Sequence, residues 1–443
     1  MTLFGSSGIR RVVDKDFLRL AFEVGLATGG TCRSVVTGCD TRTSGDAVRY
    51  AFLSGLLSAG ADAFHASVVP TPTLAYGARH FEAGAMITAS HNPPEYNGIK
   101  LVNPDGSAFD SDQRAQIEAA VSAGSSSTAH WAEMKRCNDR DGVADEHIER
   151  ILADFPGKLG LRVAVDCGGG AACAVTPRLL ARLGCDVVPL HCEPAGDFPR
   201  PSEPVPENLR DLAGAVKTEN ADLGIAHDGD ADRIAVIDEN GEFVPQDKLM
   251  ALLARHLKAS KVVTTVDASM LLDELGFAVV RTRVGDAYVS EELRHGDAQE
   301  AAQSFGGESS GCFIFPRVSL CPDAIYAAAM ISQIASEERM SSAIDRIPSF
   351  PVLRGTVPGD KAAMAEIEKR LGEQAVGTLK SIDGLRLAFA DGWLLVRPSG
   401  TEPKIRITAE ALTGERAQEL YDLGMRTVED SLTALERGRG GSR

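Results

Sequence analysis

Ser34-Val-Val-Thr-Gly-Cys-Asp40 is a run of β-branched and small apolar residues ending on an aspartate. A turn follows it, then a helical apolar pattern over residues 47–57. The chain repeats the design twice. Leu161-Arg-Val-Ala-Val-Asp166 leads through Cys167-Gly-Gly-Gly170 to a helical pattern over residues 177–183. Lys261-Val-Val-Thr-Thr-Val-Asp267 leads to another over residues 269–275. Short all-apolar strands alternating with helices call for parallel sheets covered on both faces. Three such units, spaced by about a hundred residues, imply three α/β domains of related build.

The last hundred residues or so follow a different pattern. Leu385-Arg-Leu-Ala-Phe389, the turn signal Asp391-Gly392, and Trp393-Leu-Leu-Val396 read as a hairpin. Ile405-Arg-Ile-Thr-Ala409 adds a strand, and residues 415–435 carry a helical period. This predicts a smaller α+β domain with an antiparallel sheet. The expected divisions are residues 1–135, 136–242, 243–348 and 349–443, the last set off by Ile347-Pro-Ser-Phe-Pro351.

Bulk properties exclude several classes. A chain of 443 residues is too long for one core. Its longest apolar stretches are far too short to span a bilayer. The opening Leu3-Phe-Gly-Ser-Ser-Gly8 lacks the layout of a secretion signal, so a cytoplasmic location and no membrane partner are expected. A net charge of −16 disfavours nucleic acid as a partner. Nine cysteines, an odd number with no Cys-x-x-Cys, fit neither a disulfide framework nor a zinc ribbon, and read as small buried side chains.

Four polar loops carry the chemistry. Asp228, Asp230 and Asp232, in Asp228-Gly-Asp-Ala-Asp232-Arg233, can turn three carboxylates toward one point, and hard oxygen ligands suit Mg²⁺ or Ca²⁺. A calcium EF-hand would need glycine where Arg233 stands and helices where Leu223-Gly-Ile-Ala and Ile234-Ala-Val-Ile read as strands. A solvated acidic turn is the rival reading, but three acids on a buried-looking loop would repel one another. Thr88-Ala-Ser-His-Asn-Pro93 follows the apolar Ala85-Met-Ile87 and places Ser90 at the crown of a loop. With a metal loop in the same chain, Ser90 reads as a nucleophile or phosphoryl carrier. His91 is a general base or a supporting hydrogen-bond partner. Arg397, Ser399, Gly400, Thr401, Lys404 and Arg406 form a phosphate cradle without Walker spacing. Gly306-Gly-Glu-Ser-Ser-Gly311 offers Glu308 and Ser310 to sugar hydroxyls, although alone the stretch reads better as a plain loop.

As a set, and in this order, the loops resemble those of the α-D-phosphohexomutases. The resemblance covers essentially the whole chain. It includes the opening Phe4-Gly-Ser-Ser-Gly-Ile-Arg10, with Ser6 where threonine is common. Gly306-Gly-Glu-Ser-Ser-Gly-Cys312, Arg283-Val-Gly-Asp286 and Asp391-Gly-Trp-Leu-Leu-Val-Arg-Pro-Ser-Gly-Thr401 look more like phosphoglucosamine mutases than phosphomannomutases. Phe313-Ile-Phe-Pro316 and Leu320-Cys-Pro-Asp-Ala-Ile-Tyr326 resemble archaeal members. Cys312 stands where many relatives have histidine.

The resemblance implies three similar α/β domains and a smaller C-terminal domain around a central cleft. It implies one Mg²⁺ per chain, held by Asp228, Asp230, Asp232 and an oxygen of phosphorylated Ser90. It implies that Arg10 and Arg233 supply cations near the transferring group and that Arg283 assists proton transfer. Arg397, Ser399 and Thr401 would hold the distant phosphate of a hexose phosphate. The expected activity interconverts glucosamine 6-phosphate and glucosamine 1-phosphate, with glucose or glucosamine 1,6-bisphosphate as activator. The alternatives are a mannose or glucose phosphate mutase and a non-catalytic sugar-phosphate sensor. The expected oligomeric state is a monomer or homodimer.

Overall fold

Strand connections decide where the polar loops stand. In the computed structural model, which describes residues 3–5, 7–296, 298–374, 377–399 and 403–440, the chain divides into two compact units. One comprises residues 1–263 and 285–346, the other residues 264–284 and 347–443.

The first unit opens with a six-stranded sheet. Its strands are β1 (Ile9–Val12), β2 (Ser34–Cys39), β3 (Asp62–Val68), β4 (Ala83–Ile87), β5 (Tyr96–Val102) and β6 (Cys137–Asp139), in the order β1-β5-β4-β2-β3-β6. Alternation along the central strands explains their all-apolar sequences. Val35, Ala85 and Ile87 pack with Phe17, Phe52 and Leu56 of the helices Lys15–Thr31 and Gly45–Ser58. Val36 and Met86 pack on the other face with Leu74 and Ala75 of the helix Thr71–Gly77. A second sheet holds β7 (Arg162–Asp166), β8 (Asp186–Leu190), β9 (Leu223–His227) and β10 (Ile234–Ile237), in the order β10-β9-β7-β8. The third segment supplies β11 (Lys261–Thr265), β12 (Ala278–Thr282), β13 (Ser304–Gly307) and β14 (Phe313–Ile314).

The sheets combine parallel and antiparallel pairs, as expected of three similar mixed α/β domains. β2 runs parallel to β3 and β4, and β7 to β8 and β9. However, β5 is antiparallel to β4, β10 to β9, and β14 to β13. The cause is connection length: a parallel return needs about a dozen residues or more. Residues 88–95, 228–233 and 308–312 are too few, so each chain reversal makes an antiparallel pair. These three connections are the serine, acid and glycine loops.

The second unit carries an antiparallel sheet of β15 (Val352–Pro358), β16 (Thr378–Ser381), β17 (Leu385–Phe389), β18 (Gly392–Pro398) and β19 (Lys404–Ala411), in the order β15-β19-β18-β17-β16. Leu394, Val396, Ile405 and Ile407 face a core shared with Ile367, Leu371, Leu420 and Val428. Trp393 and Leu395 face the other way, against Val266 and Met270. Glu410 ties this packing, accepting hydrogen bonds from Trp393 Nε1 (2.7 Å), Met270 N (2.7 Å) and Ser269 Oγ (2.5 Å). The hairpin turn falls one residue earlier than Asp391-Gly392, because Phe389 pairs with Gly392. Gly392 serves a different need: a Cβ there would sit 2.6 Å from the carbonyl oxygen of Glu410. No helix among the described residues is long and apolar enough to cross a membrane.

Candidate active site

The serine loop and the acid loop meet backbone to backbone. A Cβ on Gly229 would sit 2.7 Å from the carbonyl oxygen of Ser90, so only glycine admits this approach. Ser90 is 1% exposed, and its Oγ donates to Asp228 Oδ2 at 2.7 Å. His91 Nδ1 lies 3.4 Å from the same Oγ. Ser90 has φ 51° and Ala231, inside the acid loop, φ 56°. Non-glycine residues reach this left-handed region only when their surroundings hold them there.

Two buried arginines do the holding. Asp40 directly follows β2, and its Oδ2 accepts Arg42 Nε at 3.0 Å and Thr88 Oγ1 at 2.6 Å. Arg42 Nη1 donates to the carbonyls of Pro93 (2.6 Å) and Tyr96 (2.9 Å), and Nη2 to those of Ser90 (2.8 Å) and Asn92 (2.7 Å). The planar fork spans the whole serine loop, which a lysine could not do. Burial raises the Asp40 carboxyl to about 6, with Arg42 and Thr88 opposing. The second segment repeats the device. Asp166 ends β7, and its Oδ2 accepts Arg200 Nε at 2.8 Å. Arg200 Nη2 donates at 2.8 Å to the carbonyl of His227, the residue before the acid loop. The sequence repeat of strand-end aspartates thus marks two loop anchors.

Asp228, Asp230 and Asp232 are all buried, with one oxygen from each within 4.8 Å of the others. Lys100, on β5, reaches between them: Nζ donates to Asp230 Oδ2 at 2.7 Å and to Asp232 Oδ2 at 2.5 Å. Thr71 Oγ1 donates to Asp230 Oδ2 as well, at 2.5 Å. Burial opposes the charge on Lys100, but Asp230 and Asp232 outweigh it and raise its pKa above the ordinary lysine value. At Asp232 burial favours the neutral acid, yet Lys100 and then Arg233 take the carboxyl down to about 2. Asp228 goes the other way: burial, then Asp232 and Asp230, push it well up.

The triad fits a hard divalent cation. Asp230 Oδ1 and Asp232 Oδ1 are buried without a hydrogen-bond partner, which is costly unless something positive completes them. The donor set is all oxygen, the choice of Mg²⁺ and its kind. Such an ion would also remove the crowding that raises Asp228.

The cations foreseen in the first unit are here. Arg10, on β1, donates through Nη1 to Asn92 Oδ1 at 3.2 Å. Arg233 donates its backbone N–H to Asp228 Oδ1 at 3.2 Å and pairs through Nη1 with Glu203 at 3.2 Å. Burial, then Arg233 and Arg10, lower His91 to about 3, so its imidazole is neutral at ordinary pH. The glycine loop adjoins the acid loop: Arg233 bridges Cys312, and Ile234 N donates to the carbonyl of Gly311 at 3.1 Å. Glu308 is 8% exposed; its Oε1 accepts Gly285 N at 2.9 Å and its Oε2 lies 3.5 Å from Ser310 Oγ. Burial raises the Cys312 thiol well above its usual range.

Other foreseen residues lie in the second unit. Arg283 is exposed. Arg397 and Arg406 are register partners on β18 and β19, with Arg397 Nε 3.1 Å from Asp383. Ser399 N donates to the carbonyl of Lys404 at 2.8 Å. Gly400 and Thr401 lie outside the described residues. Sequence reading missed Lys100, Arg42 and Thr71. A lone cation inside Ile99-Lys100-Leu101-Val102 was the available signal for the first; Arg42 reveals itself only through the carbonyls it reaches.

Family models match the chain along most of its length. They are the α/β/α domains I, II and III of phosphoglucomutase/phosphomannomutase, at residues 1–128, 145–241 and 245–350, and the C-terminal domain of the same proteins, at residues 353–423. The chain belongs to the phosphoglucomutase/phosphomannomutase family. It is therefore a hexose-phosphate mutase, an isomerase. A relative in Methanococcoides burtonii, named "Probable phosphoglucosamine mutase", is 44% identical over 98% of this chain and 100% of its own. One of the same name in Methanocella arvoryzae is 46% identical over 95% and 96%. The crystal structure of a phosphoglucomutase/phosphomannomutase family protein from Burkholderia thailandensis superposes with a TM-score of 0.83 at 27% identity, covering 97% of each chain. Both the three mixed α/β domains and the antiparallel C-terminal domain of this family are present in the fold described above.

Proposed function

We propose that the mutase interconverts glucosamine 6-phosphate and glucosamine 1-phosphate through phosphorylated Ser90 and a 1,6-bisphosphate intermediate. The observation that carries this reading is the buried Ser90 hydroxyl, held in left-handed backbone, 2.7 Å from Asp228 of a cluster of three carboxylates. The names of the archaeal relatives support the choice of glucosamine.

Asp228, Asp230 and Asp232, with a phosphoserine oxygen, would hold the cation, one Mg²⁺ per chain. When bound it neutralises charge on the transferring phosphoryl group. Arg10 and Arg233 add positive charge at the same end. When a phosphoryl group returns to Ser90, the Oγ proton must leave. Asp228 Oδ2 already accepts that proton's hydrogen bond at 2.7 Å and so stands where it can take the proton. His91, neutral and reluctant to protonate, is then a supporting partner rather than the base. Glu308 and Ser310 would bind sugar hydroxyls, and Arg283 would assist proton transfer. Arg397, Ser399, Gly400, Thr401 and Arg406 would hold the phosphate that does not react. Glucose or glucosamine 1,6-bisphosphate would activate dephosphorylated enzyme by rephosphorylating Ser90.

Intact-mass measurement should find one phosphate, mapping to Ser90, and Ser90→Ala should abolish turnover without loss of fold. Normal turnover in that variant would remove Ser90 from the chemistry. Side-by-side kinetics on glucosamine, mannose and glucose 6-phosphates decide the sugar. A higher kcat/KM for mannose or glucose 6-phosphate overturns the glucosamine assignment while leaving the mutase standing.

A further inference from the structure

Three of the nine cysteines gather at the carboxyl ends of β7 and β8. Cys167 is fully buried, while Cys173 and Cys192 are partly exposed. The Sγ atoms of Cys167 and Cys192 lie 3.4 Å apart. The Cys192 thiol also reaches the carbonyls of Leu190 (3.3 Å) and Val165 (3.4 Å), and the Cys173 thiol that of His191 (3.6 Å). Burial of small thiols among apolar side chains would explain one such cysteine. It does not explain two in contact, one of them partly open to solvent and set among polar acceptors. A disulfide requires about 2.05 Å between sulfurs, so closure asks for a shift of little more than 1 Å.

We infer that Cys167 and Cys192 form a thiol-oxidation site, in which a small hydroperoxide converts the pair to a reversible disulfide. Cys192 reacts first because it is the more accessible partner. Its contact with Cys167 also lowers its pKa, whereas contacts with Cys173 and Cys192, and then burial, raise that of Cys167. The Cys192 thiolate attacks the peroxide: an S–O bond forms, the O–O bond breaks, and the leaving oxygen departs protonated as alcohol or water. The Cys167 sulfur then attacks the Cys192 sulfur. The S–S bond forms, the S–O bond breaks, and the hydroxide leaves as water with the Cys167 proton. Two thiols lose two electrons and one hydroperoxide gains them.

The site adjoins the acid-loop anchor. Cys167 follows Asp166, and Cys192 follows His191, whose Nδ1 lies 3.2 Å from Asp166 Oδ1. Past the Gly168–Gly170 turn, Ala171 N donates to the carbonyl of Gly229 at 2.9 Å. Closing the disulfide therefore moves the groups that hold residues 228–233.

Hydrogen peroxide applied to the full native chain, followed by alkylation and peptide mapping, tests both parts. The expected product is a Cys167–Cys192 linked peptide that dithiothreitol reverses. Cys192→Ser should abolish the link. Cys167→Ala should leave Cys192 as a sulfenic acid that dimedone traps. Cys185→Ser should form the link as wild type does. A dominant link of another pairing, such as Cys167–Cys173, or no link in folded wild type, overturns the site. Oxidation should also change amide exchange across residues 228–233 by about threefold or more, in wild type and not in Cys192→Ser. Unchanged exchange with the link formed overturns the coupling.

Discussion

Replacing Arg42 with methionine would strip the serine loop of its anchor while keeping the volume of the side chain. The variant leaves Asp40 without its ion pair and the carbonyls of Ser90, Asn92, Pro93 and Tyr96 without their donors. Breaking a buried ion pair costs about 3–5 kcal/mol. Two features place the loss near the lower end. Asp40, already raised to about 6, sheds its charge readily once the guanidinium is gone. Only the contact to Ser90 is fully buried, so water can replace the donors of the other three carbonyls. A loss of about 3 kcal/mol from local opening corresponds to exchange roughly a hundredfold faster at the amides of residues 88–96. Hydrogen exchange with mass spectrometry reads this directly, and phosphorylation of Ser90 and turnover should fall with it. Arg42→Lys should recover less than half, since one ammonium cannot reach Asp40 and four carbonyls. Exchange within about threefold of wild type in Arg42→Met, with turnover intact, would refute the anchoring role.

Three further outcomes follow from the same site. Asp230→Asn should weaken the Mg²⁺ requirement curve and cut turnover by orders of magnitude, because one ligand charge is lost; an unchanged Mg²⁺ titration would relocate the metal. Lys100→Met should tighten Mn²⁺ binding measured by electron paramagnetic resonance, because Lys100 competes for Asp230 Oδ2 and Asp232 Oδ2; weaker binding would mean that the lysine organises the triad instead. Asp40→Asn should alter the pH dependence of stability. The folded chain keeps the Asp40 proton up to about 6, whereas the unfolded chain releases it near 3.8. Stability from this group is therefore greatest below pH 4 and is lost as pH rises through 6, by about 3 kcal/mol at most. A wild-type minus Asp40→Asn difference in urea stability that stays flat from pH 4 to 7 would contradict this.

Local patterns in the sequence were enough for the repeated strands, the C-terminal hairpin and the convergence of the acid loop. Strands such as Leu223–His227 and Ile234–Ile237 are set by apolar runs and turn residues that neighbours along the chain supply. The spacing of Asp228, Asp230 and Asp232 likewise lies within a few residues, so their convergence could be read directly. Tertiary structure alone decided what those loops face. Arg42 grips carbonyls, which every residue possesses, so no side-chain pattern could announce its partners. Lys100 is on a different strand from the acids it joins, and Cys167 and Cys192 are neighbours only because β7 and β8 lie side by side. Strand direction was hidden for a related reason. A strand's side-chain pattern looks the same in either direction, and only the length of the connecting loops made β5, β10 and β14 run antiparallel to the strands before them.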